Sequence, residues 1–320
     1  MKKNLLGILF LFWVCMAWAG ELKLWYSKPA KDWTEALPMG NSRLGAMVYG
    51  GTGREELQLN EETFWAGGPY DNNNTNALYV LPVVRNLIFQ GKTWEAQRLV
   101  DANFVAHKDG MSYLTMGSLF LDFPGHEEAT DFYRDLNIED ATVTTRYKVD
   151  GVTYTRRVFA SFTDNVIVVR LQADKAGALA FTVSYDAPLK HEVSAEGDLL
   201  TITCEGKDQE GVKAALRAEC RVKVVSDGQT AAEGKELEIT GATEATLYLS
   251  AATNYVNYHD VSGDAAVRAD RCLQRAVQIP YKKALENHVA YYRKLFGRVQ
   301  LDLGETAAAS KETTLRIRDF

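Results

Sequence analysis

The sequence contains few cysteines, and they do not follow a metal-binding pattern. There are four in 320 residues, and three of them, Cys204, Cys220 and Cys272, lie after the N-terminal leader discussed below. An odd number without ligand spacing argues against a disulfide scaffold and against a zinc site. Cys204 and Cys220 fall in strand-like segments, where buried thiols are expected. A disulfide between them is the alternative in an oxidising compartment.

Long apolar runs and clusters of positive charge are also missing beyond the N-terminus. The apolar run at 5–14 follows two lysines and precedes Ala17-Trp18-Ala19. This pattern predicts a secretory signal peptide over residues 1–19, with lipidation at Cys15 as the alternative. No later segment reaches the ~18 apolar residues that span a bilayer, so no transmembrane segment is expected. The absence of a basic stripe argues against a nucleic-acid partner. We expect an exported protein, either periplasmic or extracellular.

Short strand-like segments recur along the chain at roughly even spacing. The clearest is a hairpin in which 143–149 and 152–158 flank Asp150 and Gly151, a pair that supplies the positive φ angles of a tight turn. Further segments are predicted at 166–171, 179–185, 199–204, 214–225, 237–239 and 246–251. The pattern predicts a mainly β protein, a large antiparallel β-sandwich of the supersandwich type.

Helical periodicity occurs in two regions. Residues 81–88, with Pro82 near the start, and residues 94–104 predict a short helical insertion that is interrupted at Gly91. Residues 264–277 and a segment that starts at Pro280 predict two linker helices, followed by a returning strand or extended linker. His288 on the second of these helices is expected to face solvent or an interface. The five histidines show no ligand spacing.

Residues 33–70 contain the most specific pattern. Residues 36–41 predict a turn, 44–49 a buried strand and 56–60 a second strand. A loop with Gly67, Gly68 and several aromatic and amide side chains follows. Tryptophan offers a flat face to the C–H groups of a sugar, while amides form hydrogen bonds with its hydroxyls. The loop therefore suits a carbohydrate ligand.

This segment also identifies a family. LPMGNSRLGAMVYGG followed by LQLNEETFWAGGPYDNNN resembles the N-terminal signature of glycoside hydrolase family 95, the α-L-fucosidases and related α-L-galactosidases. The similarity extends over nearly the whole chain after the leader. It implies a β-sandwich joined by helices to an (α/α)6 barrel, inverting hydrolysis of terminal α-L-fucosyl linkages by the full enzyme, and no cofactor. The implied partners are a fucosylated or L-galactosylated oligosaccharide and the catalytic barrel.

The expected organisation has four parts. Residues 1–19 are the signal peptide, 20–262 the sandwich domain, 263–304 the linker helices with a returning segment, and 305–320 the truncated start of the barrel. Because the resemblance places the catalytic acid and base in the barrel, this polypeptide alone is expected to be inactive. The alternative is a stand-alone carbohydrate-binding or interaction sandwich without hydrolase activity.

No catalytic or metal-binding residue is assigned, but four residues are candidates for substrate contact at the rim of the barrel's active site. They are Asn60, Glu61, Trp65 and Tyr70. In the alternative interpretation, Asn60 and Glu61 satisfy backbone groups of the turn and Trp65 packs a domain interface. Arg43 is expected to pair with a carboxylate. The amide and aromatic residues at 254–259 either contact carbohydrate or the catalytic barrel, or close a loop on themselves.

Overall fold

The computed structural model describes residues 22–104 and 110–320. The predicted signal peptide and His107 lie outside these residues. Sixteen strands are present in the described chain. They are β1 (Lys23–Tyr26), β2 (Leu37–Gly40), β3 (Leu44–Val48), β4 (Arg54–Glu61), β5 (Ser118–Asp122), β6 (Thr130–Asn137), β7 (Thr142–Val149), β8 (Val152–Ser161), β9 (Val166–Ala173), β10 (Leu179–Asp186), β11 (His191–Glu196), β12 (Leu199–Glu205), β13 (Arg217–Ser226), β14 (Gln229–Glu233), β15 (Glu236–Ala242) and β16 (Glu244–Thr253).

Five α-helices accompany the strands in the same described residues. They are α1 (Asn76–Phe89), α2 (Thr93–Asn103), α3 (Ala265–Ala276), α4 (Tyr281–Phe296) and α5 (Thr313–Arg318). The first two form the predicted insertion, and α3 and α4 are the predicted linker helices. None of the described helices is long and apolar enough to cross a membrane.

The strands form two antiparallel sheets, which confirms the predicted β-sandwich. The nine-stranded sheet has the order β1-β6-β7-β8-β9-β16-β13-β12-β11, and the seven-stranded sheet has the order β14-β15-β10-β5-β4-β3-β2. The main core lies between them, where alternate residues such as Leu57, Phe181 and Leu247 are buried. A smaller core forms where α3 and α4 cover the outer face of the nine-stranded sheet around Phe159 and Tyr248.

Burial on both faces explains why some strands do not alternate between buried and exposed residues. Nearly every residue of β16 is buried, because its inner face meets the other sheet and its outer face meets α3. Such a strand is read as a continuous apolar run instead of an alternating one. Strands β6, β11 and β14 were missed in the sequence because their polar and charged residues obscure the strand pattern, and β1 was missed because it is only four residues long.

Three sequence expectations are wrong. Residues 36–41 are not a turn: β2 pairs with β3 at the sheet edge, where Pro38 can be accommodated, and the turn lies at Asn41–Arg43. Helix α1 begins at Asn76, so Pro82 lies inside the helix instead of near its start. Packing of α1 on α2 explains the longer helix. His288 is buried, because the Asp140–Ala141 turn offers two carbonyl oxygens 3.0 and 3.1 Å from its Nε2.

The hairpin and cysteine expectations agree with the structure. Val149 pairs with Val152, and Asp150 and Gly151 have φ angles of 48° and 78°, as a two-residue turn of this type requires. Cys204 and Cys220 are buried free thiols on neighbouring strands, but neither is opposite the other in the register.

Candidate functional site

A large cavity lies where β4 and β16 end. Its volume is about 730 Å³. Strand β4 belongs to the seven-stranded sheet and β16 to the nine-stranded sheet, so each sheet contributes one wall. The wall after β4 includes Trp65 and Tyr70, and the wall after β16 includes Tyr255 and Tyr258. The cavity is therefore bordered by aromatic rings from both sheets.

Trp65 is fixed in place although 42% of its surface is exposed. Its indole Nε1 donates a hydrogen bond to the carbonyl oxygen of Glu62 at 2.9 Å. Its ring lies against Tyr113, with 5.0 Å between the ring centroids. An indole held in this way presents its remaining exposed surface to the cavity with little freedom to lose when a ligand binds.

The glycines of the first wall have a steric role. Gly67 has a φ of 68°, and a Cβ at this position would lie 2.8 Å from the sulfur of Met111. A Cβ on Gly68 would lie 2.7 Å from the Cβ of Ala215. The loop can pass this close to its neighbours only because both positions lack side chains.

The second wall is held by Asn254 and Arg268. The Asn254 amide donates to the carbonyl oxygens of Ala215 and Val261, and its carbonyl accepts from the backbone N–H of Arg217. Arg268 Nη1 donates to the carbonyl oxygens of Thr253 and Tyr255 at 3.0 and 2.5 Å. The residues from 254 to 261 therefore form an ordered wall, while Tyr258 at its tip stays exposed.

The four predicted substrate-contact residues separate into two groups. Trp65 and Tyr70 line the cavity. Asn60 and Glu61 lie beneath it: the Asn60 amide is 3.4 Å from the carbonyl oxygen of Leu114, and Glu61 is fully buried. Glu61 pairs with Arg43 at 2.6 Å, as expected for that arginine. The substrate roles of all four residues stay predictions.

The charges at the cavity suit binding better than bond cleavage. Among the lining residues that the structure describes, Glu62 is the one carboxylate. Its Oε1 lies 3.6 Å from Nη1 of Arg43. Hydrolysis of a glycoside generally needs two carboxyl groups ~5–9.5 Å apart. Burial, and then the charge of Glu61, raise the pKa of Tyr113. Tyr113 therefore stays protonated and donates to the carbonyl oxygen of Glu61 at 3.1 Å.

Sequence reasoning missed several lining residues. Met111 and Leu216 contribute apolar surface to the cavity, and Tyr113, which is outside its lining, packs against Trp65. These residues come from connections with no local signature. The aromatic and amide residues at 254–259 did carry a signal, and Tyr255, Asn257 and Tyr258 line the cavity. No cluster of metal-ligating side chains occurs in the described residues.

Comparisons with known proteins agree with the fold and with the sequence motifs. The sequence matches the family described as "Glycosyl hydrolase family 65, N-terminal domain" over residues 24–258. It is 32% identical to "Alpha-L-fucosidase 2" of Arabidopsis thaliana, over 93% of this chain and 39% of that protein. It is 26% identical to "Probable alpha-fucosidase A" of Aspergillus oryzae, over 88% of this chain and 41% of that protein.

A solved structure shares the fold at low sequence identity. "Putative kojibiose phosphorylase from human microbiome" superposes with a TM-score of 0.51 and 8% identity, over 92% of this chain and 40% of that chain. The present chain spans about 40% of the length of the curated relatives it matches. These findings confirm the resemblance to an N-terminal domain of α-L-fucosidase-like enzymes. Since the family match covers well over half of the chain, the chain belongs to the family of glycosyl hydrolase family 65 N-terminal domains.

Proposed function

We propose that this chain is the N-terminal sandwich of an exported α-L-fucosidase-like glycoside hydrolase and that its cavity binds a neutral sugar. In the full-length enzyme the reaction would be inverting hydrolysis of terminal α-L-fucosyl linkages. Support comes from the fucosidase names of the relatives and from the leader pattern at residues 1–19. The division at 262 and 304, and the assignment of 305–320 to a catalytic barrel, belong to the same proposal.

The aromatic walls of the cavity are the observation that carries the sugar-binding role. Trp65 and Tyr258 present exposed ring surface, which suits the C–H face of a pyranose. Asn257 provides an amide that can form hydrogen bonds with hydroxyls. Of the lining residues within the described ranges, Glu62 is the charged one, so an anionic sugar would meet repulsion and a neutral one would not.

Binding can be measured by titrating the purified chain with 2′-fucosyllactose in a calorimeter. We expect saturable binding that weakens at least about tenfold in Trp65→Ala, equivalent to ~1.4 kcal/mol. Trp33→Ala is the matched control, because Trp33 is exposed but does not line the cavity. Equal affinities of the wild type and Trp65→Ala, or no binding at millimolar ligand, would contradict the proposal.

The second candidate is a stand-alone carbohydrate-binding sandwich, which needs no catalytic pair and so agrees with the single described carboxylate of the cavity. Equal affinity for fucosylated and unfucosylated oligosaccharides in the same titration would support this candidate over the first.

Hydrolysis by the polypeptide alone is measured in a separate experiment. Because the described cavity residues supply one carboxylate where hydrolysis needs two, we expect no fucose release from 2′-fucosyllactose or a chromogenic fucoside. Turnover above a heat-killed sample would contradict this expectation.

A further inference from the structure

The two walls of the cavity are joined by a contact between two threonines. Thr63 follows β4, and Thr253 is the last residue of β16. Their Oγ1 atoms are within hydrogen-bond distance of each other, although 190 positions separate them in the sequence. Thr253 is fully buried, and the Glu61 carboxylate beside Thr63 is fully buried as well. A short polar connection therefore runs beneath the cavity from one sheet to the other.

The chemistry of the groups fixes the direction of these hydrogen bonds. Glu61 Oε2 lies 2.6 Å from Thr63 Oγ1, and an ionised carboxylate can only accept, so the Thr63 hydroxyl donates to it. A hydroxyl has a single hydrogen, so Thr63 must accept from the hydroxyl of Thr253. Thr253 Oγ1 in turn accepts from the backbone N–H of Tyr255 at 3.2 Å.

The result is a hydrogen-bond relay from Tyr255 through Thr253 and Thr63 to Glu61, in which every donor points toward the carboxylate. Bonds aligned head to tail in a buried site polarise and strengthen one another. The relay begins in the wall that carries Tyr255 and ends under the loop that carries Trp65.

We propose that Glu61 is a positioning residue that holds the two walls of the cavity in register through this relay. The expected effect of Glu61 on ligand affinity rests on the proposed sugar-binding role of the cavity. Its expected effect on the position of the walls does not. Glu61 acts through Thr63 and Thr253, because its own side chain is fully buried and does not line the cavity. It thereby sets the separation between Trp65 and the Tyr255 wall.

The position requires a carboxylate and not an amide. Both Glu61 oxygens accept: Oε1 from Arg43 at 2.6 Å, and Oε2 from the backbone N–H and the hydroxyl of Thr63 at 2.7 and 2.6 Å. In Glu61→Gln the NH₂ group replaces one acceptor with a donor. Whichever way the amide is oriented, it faces either the guanidinium or the Thr63 donors, and one set loses its partner.

The test measures the response of the Tyr255 wall when the Glu61 end of the relay is changed. Amide hydrogen exchange is measured at Tyr255, together with the indole N–H resonance of Trp65, assigned with Trp65→Phe. We expect Glu61→Gln and Thr63→Val each to speed exchange at Tyr255 at least about tenfold, although neither residue bonds to that amide. The double variant should be no faster than the single ones, because each breaks the same relay.

Two further variants serve as controls. Thr63→Ser keeps the hydroxyl and should retain slow exchange and the wild-type indole resonance. Glu56→Gln makes the same chemical change on the same strand, but Glu56 accepts from Ser118 and should leave Tyr255 unaffected. The proposal is overturned if exchange at Tyr255 is unchanged in Thr63→Val, or if Thr63→Ser and Thr63→Val speed it equally.

Affinity for 2′-fucosyllactose is measured on the same variants. We expect at least about fivefold weaker binding by Glu61→Gln and Thr63→Val, and wild-type affinity for Thr63→Ser. If the wild-type chain does not bind while exchange at Tyr255 still responds to Glu61→Gln, the sugar-binding role fails and the relay stands. Binding by the wild type with no response at Tyr255 refutes the relay alone.

Discussion

Neighbouring residues of β4 have opposite environments because side chains alternate along a strand. Glu55, Leu57, Leu59 and Glu61 are buried between the sheets, while Glu62, just after the strand, reaches the cavity. The buried face of β4 thus has a carboxylate at each end of the strand. Each carboxylate is paired with an arginine: Glu55 with Arg156, and Glu61 with Arg43. Adjacent glutamates in the sequence therefore have different roles.

The buried His288 is expected to make stability depend on pH. Burial is the main cause that lowers its pKa, and Nε2 donates to the carbonyl oxygens of Asp140 and Ala141. The unfolded chain therefore takes up a proton more readily than the folded one. The stabilising effect is complete above the ordinary pKa of ~6.5 and is lost as the pH falls below that value through the folded pKa.

Urea unfolding at pH 7.5 and pH 5 checks this prediction. In His288→Gln, which keeps an N–H donor but does not titrate, the loss of stability on acidification should be smaller than in the wild type. It should not vanish, because burial lowers the pKa of His126 as well. His259→Gln, at an exposed position, is the control. An acid-induced loss of the same size in the wild type and His288→Gln would refute the assignment.

At the scale of elements, strands with a clear period of two and a strong turn were predictable. The β7–β8 hairpin was predicted from its alternating residues and from Asp150-Gly151, because both signals are local. The edge strand β2 was mistaken for a turn, since Pro38 and Gly40 have turn propensity and only pairing with β3 makes the segment extended. Its actual turn uses Asn41, whose side chain accepts from the backbone N–H groups of Arg43 and Leu44.

The hairpin turn gives a prediction for Gly151. Its φ of 78° is in the left-handed region, and an added Cβ would meet nothing within 4 Å. The cost of Gly151→Ala is therefore conformational alone, ~1–2 kcal/mol of the free energy of unfolding. Gly151→Asn should cost less, because asparagine tolerates this region. Chemical denaturation of the three proteins measures the difference, and equal losses for both substitutions would exclude this explanation.

At the scale of the whole molecule, the α1–α2 insertion leaves a large apolar surface in water. Helix α1 is apolar on two sides: Val84 is buried, while Leu78, Tyr79 and Phe89 are 73%, 79% and 86% exposed. A helix that is apolar all round is normally buried on all sides, and exposed patches of this kind favour association.

We therefore expect the purified chain to bind a hydrophobic dye and to self-associate as its concentration rises. Replacing Leu78, Tyr79 and Phe89 with glutamine should reduce dye fluorescence severalfold and shift the chain toward the monomer in sedimentation velocity. Trp33→Gln, at another exposed aromatic, is the control. A wild-type chain that stays monomeric and does not bind the dye would rule out this interpretation of α1.

The sequence by itself determined the fold class, the clearest strands and the family. Alternation, turn residues and long motifs are local properties of the chain and can be recognised without knowing any tertiary contact. Tertiary structure alone decided the composition of the cavity, since its walls come from the ends of β4 and β16 and meet only when the two sheets stack. It also separated Trp65 and Tyr70 from Asn60 and Glu61. Whether a side chain faces a cavity or lies under it depends on contacts such as Thr63–Thr253, which join residues far apart in the chain.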